Sequence, residues 1–270
     1  LKGKEFSPLL ELSGLTVTYG GQTLLDSIDL DVMSGETLAV VGESGAGKTT
    51  LLRSLLGVTA RGFSVSGALT FDGQQQELAL DQSYGSLTAN SLAYVPQNPS
   101  IGLDPLKRLQ WQWRQALRAM RTLKGTQSDK EQEIEDRRFS QHILSQLNLK
   151  AFDKKFPHQW SRGMQQRLLL AFALVAKPKI IILDEPTSAL DPIVAAKALV
   201  EVTKVAKENN ISVIMVTHDL ALAAQFADRV AVLSAGKLLE VGTTDEILNS
   251  PAHPYTSNLV KHRHWGLDYA

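Results

Sequence analysis

The stretch Gly42–Thr50, GESGAGKTT, places three glycines, a lysine and two threonines at the spacing G-x-x-x-x-G-K-[ST]. That spacing suits phosphate chemistry. Glycines 42, 45 and 47 let the backbone curl, so the N–H groups of Glu43, Ser44, Ala46 and their neighbours can point at phosphate oxygens. A helix opening at this point adds the positive end of its dipole. Lys48 then reaches the β- and γ-phosphates, the Thr49 hydroxyl can ligate Mg²⁺, and Thr50 lies in the same first turn. A Gly-rich turn with a chance lysine is the competing reading. The apolar strand Leu38–Val41 before the loop and the expected helix around Thr49–Leu56 after it decide against that reading.

A second chemical stretch is KIIILDEPTSALD, Lys179–Asp191, where Asp184 and Glu185 end a wholly apolar run. In an open α/β sheet, ligands bind at the carboxyl ends of the strands, the same edge as the phosphate loop. Asp184 can hold Mg²⁺ through water there, and Glu185 can orient or deprotonate an attacking water. Alone, an Asp-Glu pair after one strand reads as a solvated strand end; beside a phosphate loop it reads as part of a hydrolytic site.

These pieces need a scaffold, and the hydrophobic pattern outlines one. Ile28, Leu30 and Val32 alternate with Asp29 and Asp31, a half-buried strand. A further β region covers Ala68–Gly73. Apolar runs at Ile180–Leu183, Ile211–Val216 and Val230–Leu233 alternate with helical segments, which predicts a mostly parallel sheet covered on both faces. Segment 106–150 is polar and helical in period, and its charge run SDKEQEIEDRRF reads as a solvated helix face. The fold class is therefore α/β with an antiparallel start and a helical insertion.

Composition narrows the classes. The 270 residues are 43% hydrophobic and 21% charged, as in ordinary globular proteins. Lys+Arg and Asp+Glu are both 28, a balance that argues against nucleic acid as the main partner. There are no cysteines, so disulfides, Cys-ligated zinc and thiol nucleophiles are excluded. The longest apolar run, Leu168–Ala176, falls far short of the roughly 20 residues that span a bilayer. The opening LKGKEFSPLL has no apolar signal-like core and no Met, which gives the expectation of a processed or introduced end in a cytoplasmic protein.

Four further pieces complete a pattern: Gln97 in YVPQNP, Ser161–Arg167 (SRGMQQR), Ser188–Asp191 (SALD), and His218 in VTHD. In this order and spacing the chain resembles the nucleotide-binding subunits of ATP-binding cassette (ABC) transporters over nearly its whole length. The resemblance implies a P-loop NTPase (RecA-like) core, an N-terminal antiparallel β subdomain and an inserted α-helical subdomain. One ABC ATPase domain is then expected over 1–270. Residues 1–95 and 165–245 would form the core with the β subdomain, 96–164 the helical subdomain, and 246–270 a C-terminal extension.

The same resemblance assigns roles. Tyr19, in VTYG, is expected to stack on adenine, Gln97 to ligate Mg²⁺, sense the attacking water and couple to the membrane partner, and His218 to contact the γ-phosphate. Ser161, Arg162, Gly163 and Met164 are expected to meet the γ-phosphate of an ATP held by a second subunit, and Asp191 to cross the dimer interface. ATP and Mg²⁺ are the implied cofactors. Implied partners are a second ABC ATPase subunit (a copy or a relative), two integral-membrane permease subunits and an extracytoplasmic solute-binding protein. The implied location is the cytoplasmic face of the membrane.

The usual signature is Leu-Ser-Gly-Gly; here Trp160 replaces the leucine and Arg162 the first glycine. Arg162 keeps its N–H, since only Pro removes it, and Ser161 remains a good N-cap. The expectation is an altered but working signature.

QNPSIGLDP (Gln97–Pro105) and SPAHPYTSNLV (Ser250–Val260) resemble stretches of the peptide/nickel importer ATPases. DPIVAAKAL departs from that branch's usual Val followed by Gln-Ala. Length and the lack of cysteines lean towards nickel or metal-chelate carriers, or towards the shorter of two paired ATPases. An export ATPase would lack both branch motifs; an ABC-type ATPase acting on nucleic acid or ribosomes would carry long insertions, a basic surface or two cassettes. In KHRHWG, His262 and His264 lack a third ligand and read as a solvated tail. Trp111 and Trp113 read as packing residues of the helical insertion or of a partner contact.

Overall fold

In the computed structural model, the described residues are 7–78, 91–123, 130–149, 154–186 and 192–262. Two sheets organise them. The first is antiparallel, in the order β2-β1-β4-β5, from β1 (Leu10–Tyr19), β2 (Gln22–Val32), β4 (Phe63–Phe71) and β5 (Gln74–Glu77). Ile28, Leu30 and Val32 face its core while Asp29 is exposed, as the alternation predicts. The β region expected at Ala68–Gly73 begins earlier, at Phe63, and a tight turn through Asp72 and Gly73, both at positive φ, leads into β5.

The second sheet has the order β10-β9-β3-β8-β7-β6. It contains β3 (Thr37–Val41), β6 (Leu92–Val95), β7 (Ile180–Asp184), β8 (Ser212–Thr217), β9 (Arg229–Ser234) and β10 (Lys237–Thr243). All its neighbours are parallel except the β9–β10 hairpin. Its central strands are buried on both faces, which is why they read as continuous apolar runs. Leu38, Val40, Ile180, Ile182, Ile214 and Val216 pack towards the antiparallel sheet. Ala39, Val41, Ile181, Leu183, Val213 and Met215 belong to the other core cluster, with the helices of the opposite layer.

Helix α1 (Lys48–Leu55) joins the antiparallel side through Leu51, Leu52 and Leu55. It begins at Lys48, one residue earlier than expected. Helices α2 (Pro99–Gly102), α3 (Leu109–Leu123), α4 (Lys130–Gln146) and α5 (Arg162–Val175) follow β6 in sequence. Trp113 stacks on Phe172 with centroids 5.6 Å apart, so the second tryptophan packs as expected, while Trp111 is exposed under Lys107. Helices α6 (Pro192–Glu208) and α7 (Leu220–Phe226) alternate with β7, β8 and β9. Short helices α8 (Thr244–Asn249) and α9 (Pro254–Lys261) end the described chain. Arg229 ties the sheets together: it pairs with Asp31 of β2 at 2.8 and 3.0 Å and with Glu36 at 3.3 Å.

Candidate functional site

The site lies where β3, β6, β7 and β8 end on one edge of the parallel sheet. Gly42 follows β3 and is pressed against the β9 backbone: a Cβ there would lie 2.2 Å from the Leu233 carbonyl oxygen. Gly47 takes φ 107° and caps α1 without a side-chain bond; a Cβ would meet Leu25 at 2.7 Å. Leu51 is the first residue whose N–H bonds back into the turn, to Gly47 O at 2.9 Å. The N–H groups of Lys48, Thr49 and Thr50 precede that first bond, so they form an anion-seeking helix end.

Lys48 is buried, and its ammonium donates to Gly42 O at 2.6 Å and Glu43 O at 2.8 Å. An ammonium carries three protons, so a third can turn into the cleft. Burial lowers the Lys48 pKa, and the carboxylates Glu185 and Asp184 oppose that shift.

Asp184 ends β7. Its Oδ2 accepts the Tyr94 hydroxyl at 2.8 Å. Burial raises its pKa, a rise that Glu185 increases and that Tyr94, Lys48 and Arg53 reduce. Burial and the Asp184 bond push the Tyr94 phenol well upward. Glu185 adopts φ 40°, left-handed backbone that costs a non-Gly residue on the order of 1 kcal/mol or more. Its N–H donates to Val216 O at 2.8 Å. Gln97 Nε2 donates to Glu185 Oε2 at 2.9 Å, and His218 Nδ1 stands 3.4 Å from Glu185 Oε1. One carboxylate thus touches the segments after β6 and after β8.

Ser44, Gly45, Gly47, Lys48, Thr49, Thr50, Gln97, Asp184 and Glu185 line one cleft of about 360 Å³. Gly42 and Ala46 of the same loop are buried and Glu43 is exposed, and none of the three lines the cleft. Tyr19 lies at the turn between β1 and β2, half exposed, its ring 4.7 Å from Phe63. From that turn β2 runs on to Leu24 and Leu25, which lie beside Gly47.

Ser161, Arg162, Gly163 and Met164 do not line this cleft. Ser161 caps α5 through a bond from Met164 N–H at 3.3 Å, and Arg162 is exposed. Trp160 is buried in the core, filling the place of the usual leucine. Asp191 and the SALD stretch lie outside the described residues, as does His264. His262 Nδ1 lies 2.8 Å from Asn258 O, a contact within its own helix end. Sequence reasoning missed Tyr94; its signal was a hydroxyl-bearing ring on the short strand beside the carboxylate strand.

The residues fit Mg²⁺ by their chemistry. The Thr49 hydroxyl, the Gln97 amide oxygen and the Asp184 carboxylate are hard oxygen donors in one cleft, the kind that Mg²⁺ takes. Among the described residues, no group of three or more His, Cys, Asp or Glu could hold a different ion.

A glycine-curled loop at a helix start, opposite a buried aspartate and a partly buried glutamate at the end of the next strand but one, defines a P-loop nucleotide hydrolase. The family model described as ABC transporter matches residues 25–188. The chain is 34% identical over 260 residues to the dipeptide transport ATP-binding protein DppD of Lactococcus lactis, covering 93% of this chain and 72% of that one. It is 32% identical over 259 residues to the oligopeptide transport ATP-binding protein OppD of Salmonella typhimurium, covering 93% and 75%. Among solved structures, cbiO1 from Clostridium perfringens, part of the ABC transporter complex cbiONQ, aligns with TM-score 0.72 at 25% identity, covering 90% and 91%. The dimeric post-hydrolysis ATP-binding cassette MJ0796 bound to ADP and Pi aligns with TM-score 0.68 at 27% identity, covering 87% and 98%. The chain belongs to the ABC transporter family and is an ATPase of that family. No helix among the described residues is long and apolar enough to cross a membrane.

Proposed function

We propose that this chain is the ATP-hydrolysing subunit of a bacterial importer of di- or oligopeptides, held at the cytoplasmic face of the membrane. The observation that carries the reading is the single cleft joining Lys48, Thr49, Gln97, Asp184 and Glu185. The named functions of the DppD and OppD relatives support peptide cargo over the nickel or metal-chelate alternative. The same names favour a transporter over the nucleic-acid alternative, and the two importer-like stretches, Gln97–Pro105 and Ser250–Val260, support import over export.

Each residue then has a task. The loop N–H groups and the remaining Lys48 proton receive the phosphates. Thr49 and Gln97 would hold Mg²⁺, with Asp184 acting through water. Mg²⁺, when bound, supplies charge neutralisation at the phosphate oxygens. Glu185 orients the attacking water and accepts its proton. Gln97 donates to one Glu185 oxygen and His218 stands 3.4 Å from the other, which favours one orientation of Glu185. His218 also faces the γ-phosphate, and Tyr19 stacks on the adenine.

Ser161, Arg162, Gly163 and Met164 serve the ATP of a second ATPase subunit, and Asp191 serves the contact between the two. Their absence from the cleft of their own chain supports that division. In the same reading, 96–164 is the helical subdomain, 1–95 with 165–245 the core and β subdomain, and 246–270 a C-terminal extension. Two permease subunits and an extracytoplasmic solute-binding protein complete the transporter.

Affinity purification of the tagged chain from its own membranes tests this. Two polytopic proteins should co-purify, and vesicles containing them should take up peptide only with ATP and the binding protein. Recovery of the chain from the soluble fraction alone, with no such partners, would contradict it.

A further inference from the structure

Tyr94 lies on β6, and the register of the sheet decides what it can touch. It pairs with Ile182 of β7 across a parallel ladder. Paired residues share one face of a sheet, and a strand returns to that face every second residue. Asp184, two residues beyond Ile182, is therefore a diagonal neighbour of Tyr94, a separation that long and aromatic side chains can span. The Tyr94 hydroxyl spans it, donating to Asp184 Oδ2 at 2.8 Å. Among the described residues, no other hydrogen bond reaches that carboxylate.

The ring itself stands outside the nucleotide cleft. Tyr94 does not line the space that holds Lys48 and Glu185. It lines a separate groove of about 610 Å³, where Leu52, Leu56, Val58 and Ile101 supply apolar walls. Thr49, Gln97 and Asp184 line both spaces. Those three residues carry the oxygens that suit Mg²⁺. Tyr94 thus meets one of the metal-binding residues from the groove side, and any effect on nucleotide passes through Asp184.

The chemistry of the contact suits a metal site. A carboxylate on a freely turning last bond can present either oxygen. The hydrogen bond takes Oδ2 and leaves Oδ1 for water of the ion. A phenol is a neutral donor, so the carboxylate keeps the negative charge that attracts a cation. A lysine or arginine in the same place would cancel it. Partners that orient a metal-binding carboxylate in this way tune metal affinity.

We propose that Tyr94 is a positioning residue for the metal: by holding Asp184 Oδ2 it presents Oδ1 to the water shell of Mg²⁺. The proposal rests on the reading of the cleft as a Mg-ATP site.

Tyr94→Phe keeps a ring that is 42% exposed and removes only the hydroxyl. Binding of a fluorescent ATP analogue to the full chain, titrated with Mg²⁺ at fixed analogue, reads the metal apart from turnover. With EDTA in place of Mg²⁺, the Kd of Tyr94→Phe should stay within about twofold of wild type. The Mg²⁺ concentration that gives half of the Mg²⁺-dependent change should rise about tenfold, the low end for the partner of a metal-binding carboxylate. Free analogue takes up Mg²⁺ identically in both titrations, so the difference belongs to the protein. Saturating Mg²⁺ should restore hydrolysis to within about threefold, because mass action refills the site. In an Asp184→Asn background, Tyr94→Phe should move the Mg²⁺ midpoint no further. The Tm without nucleotide should fall by no more than about 4 °C, the loss of one ordinary hydrogen bond.

An unchanged Mg²⁺ midpoint, an equal loss of affinity with and without Mg²⁺, or a shift that persists in Asp184→Asn would each overturn the proposal. The second of these is what a mere strut between β6 and β7 would give. Lys48→Ala separates the two levels of the argument. If it binds the analogue as well as wild type does, the ATP-site reading fails and this proposal with it. If it loses binding while Tyr94→Phe keeps the wild-type Mg²⁺ midpoint, only the role of Tyr94 fails.

Discussion

Gln97 and Glu185 are joined by one hydrogen bond, amide Nε2 to carboxylate Oε2, at 2.9 Å. They lie 88 residues apart in the chain and meet because β6 and β7 are parallel neighbours ending at the same edge. The bond holds a carboxylate whose own backbone is in the left-handed region, so its direction depends on such partners. Gln97→Ala removes the donor. ATP affinity measured without Mg²⁺ should stay within about threefold, while hydrolysis at saturating Mg-ATP falls at least about tenfold, the lower value expected for a charge-assisted bond. Equilibrium ATP binding and steady-state phosphate release measure the two; an unchanged rate would show that Glu185 needs no support from Gln97.

Arg162 sits at the first position of α5, exposed, with Ser161 capping the helix ahead of it. Arg162→Gly restores the Ser-Gly-Gly part of the usual signature and keeps the N–H group. Hydrolysis should stay within about threefold, or about 0.65 kcal/mol. Complete loss would make the arginine a required phosphate contact.

Glu36 supplies a pH test away from the cleft. Burial raises its carboxyl pKa above the ordinary 4.5, despite the Met33 N–H and Arg229. A raised folded-state pKa favours the protonated form. The associated stability is complete below pH 4.5 and is lost as pH rises through the folded value. Glu36→Gln should therefore raise Tm by about 1–3 °C at neutral pH, and the gain should vanish below the ordinary glutamate value. Thermal scans at several pH values measure it. A variant less stable than wild type at neutral pH would show that the Arg229 pairing outweighs burial.

The core of the site was legible because its signals are local. The glycines of the loop, the lysine that follows and the apolar strand ahead all fall within one short stretch, and no distant contact is needed to recognise them. Asp184 and Glu185 were legible for the same reason, as the end of a strand apolar on both faces. The left-handed backbone at Glu185 was not, because no residue type there announces it. Tyr94 escaped because it differs from a packing aromatic only by a hydroxyl whose partner lies on another strand. Trp160 went the other way, its unusual identity explained by simple burial in the core.

The central claim is that Glu185 activates water against ATP bound at Lys48. Single-turnover phosphate release from radiolabelled ATP, measured beside equilibrium ATP binding for wild type and Glu185→Gln, tests it most directly. Equal binding, with release slowed at least about 100-fold in Glu185→Gln, is the predicted result. Equal release from both proteins would contradict the claim.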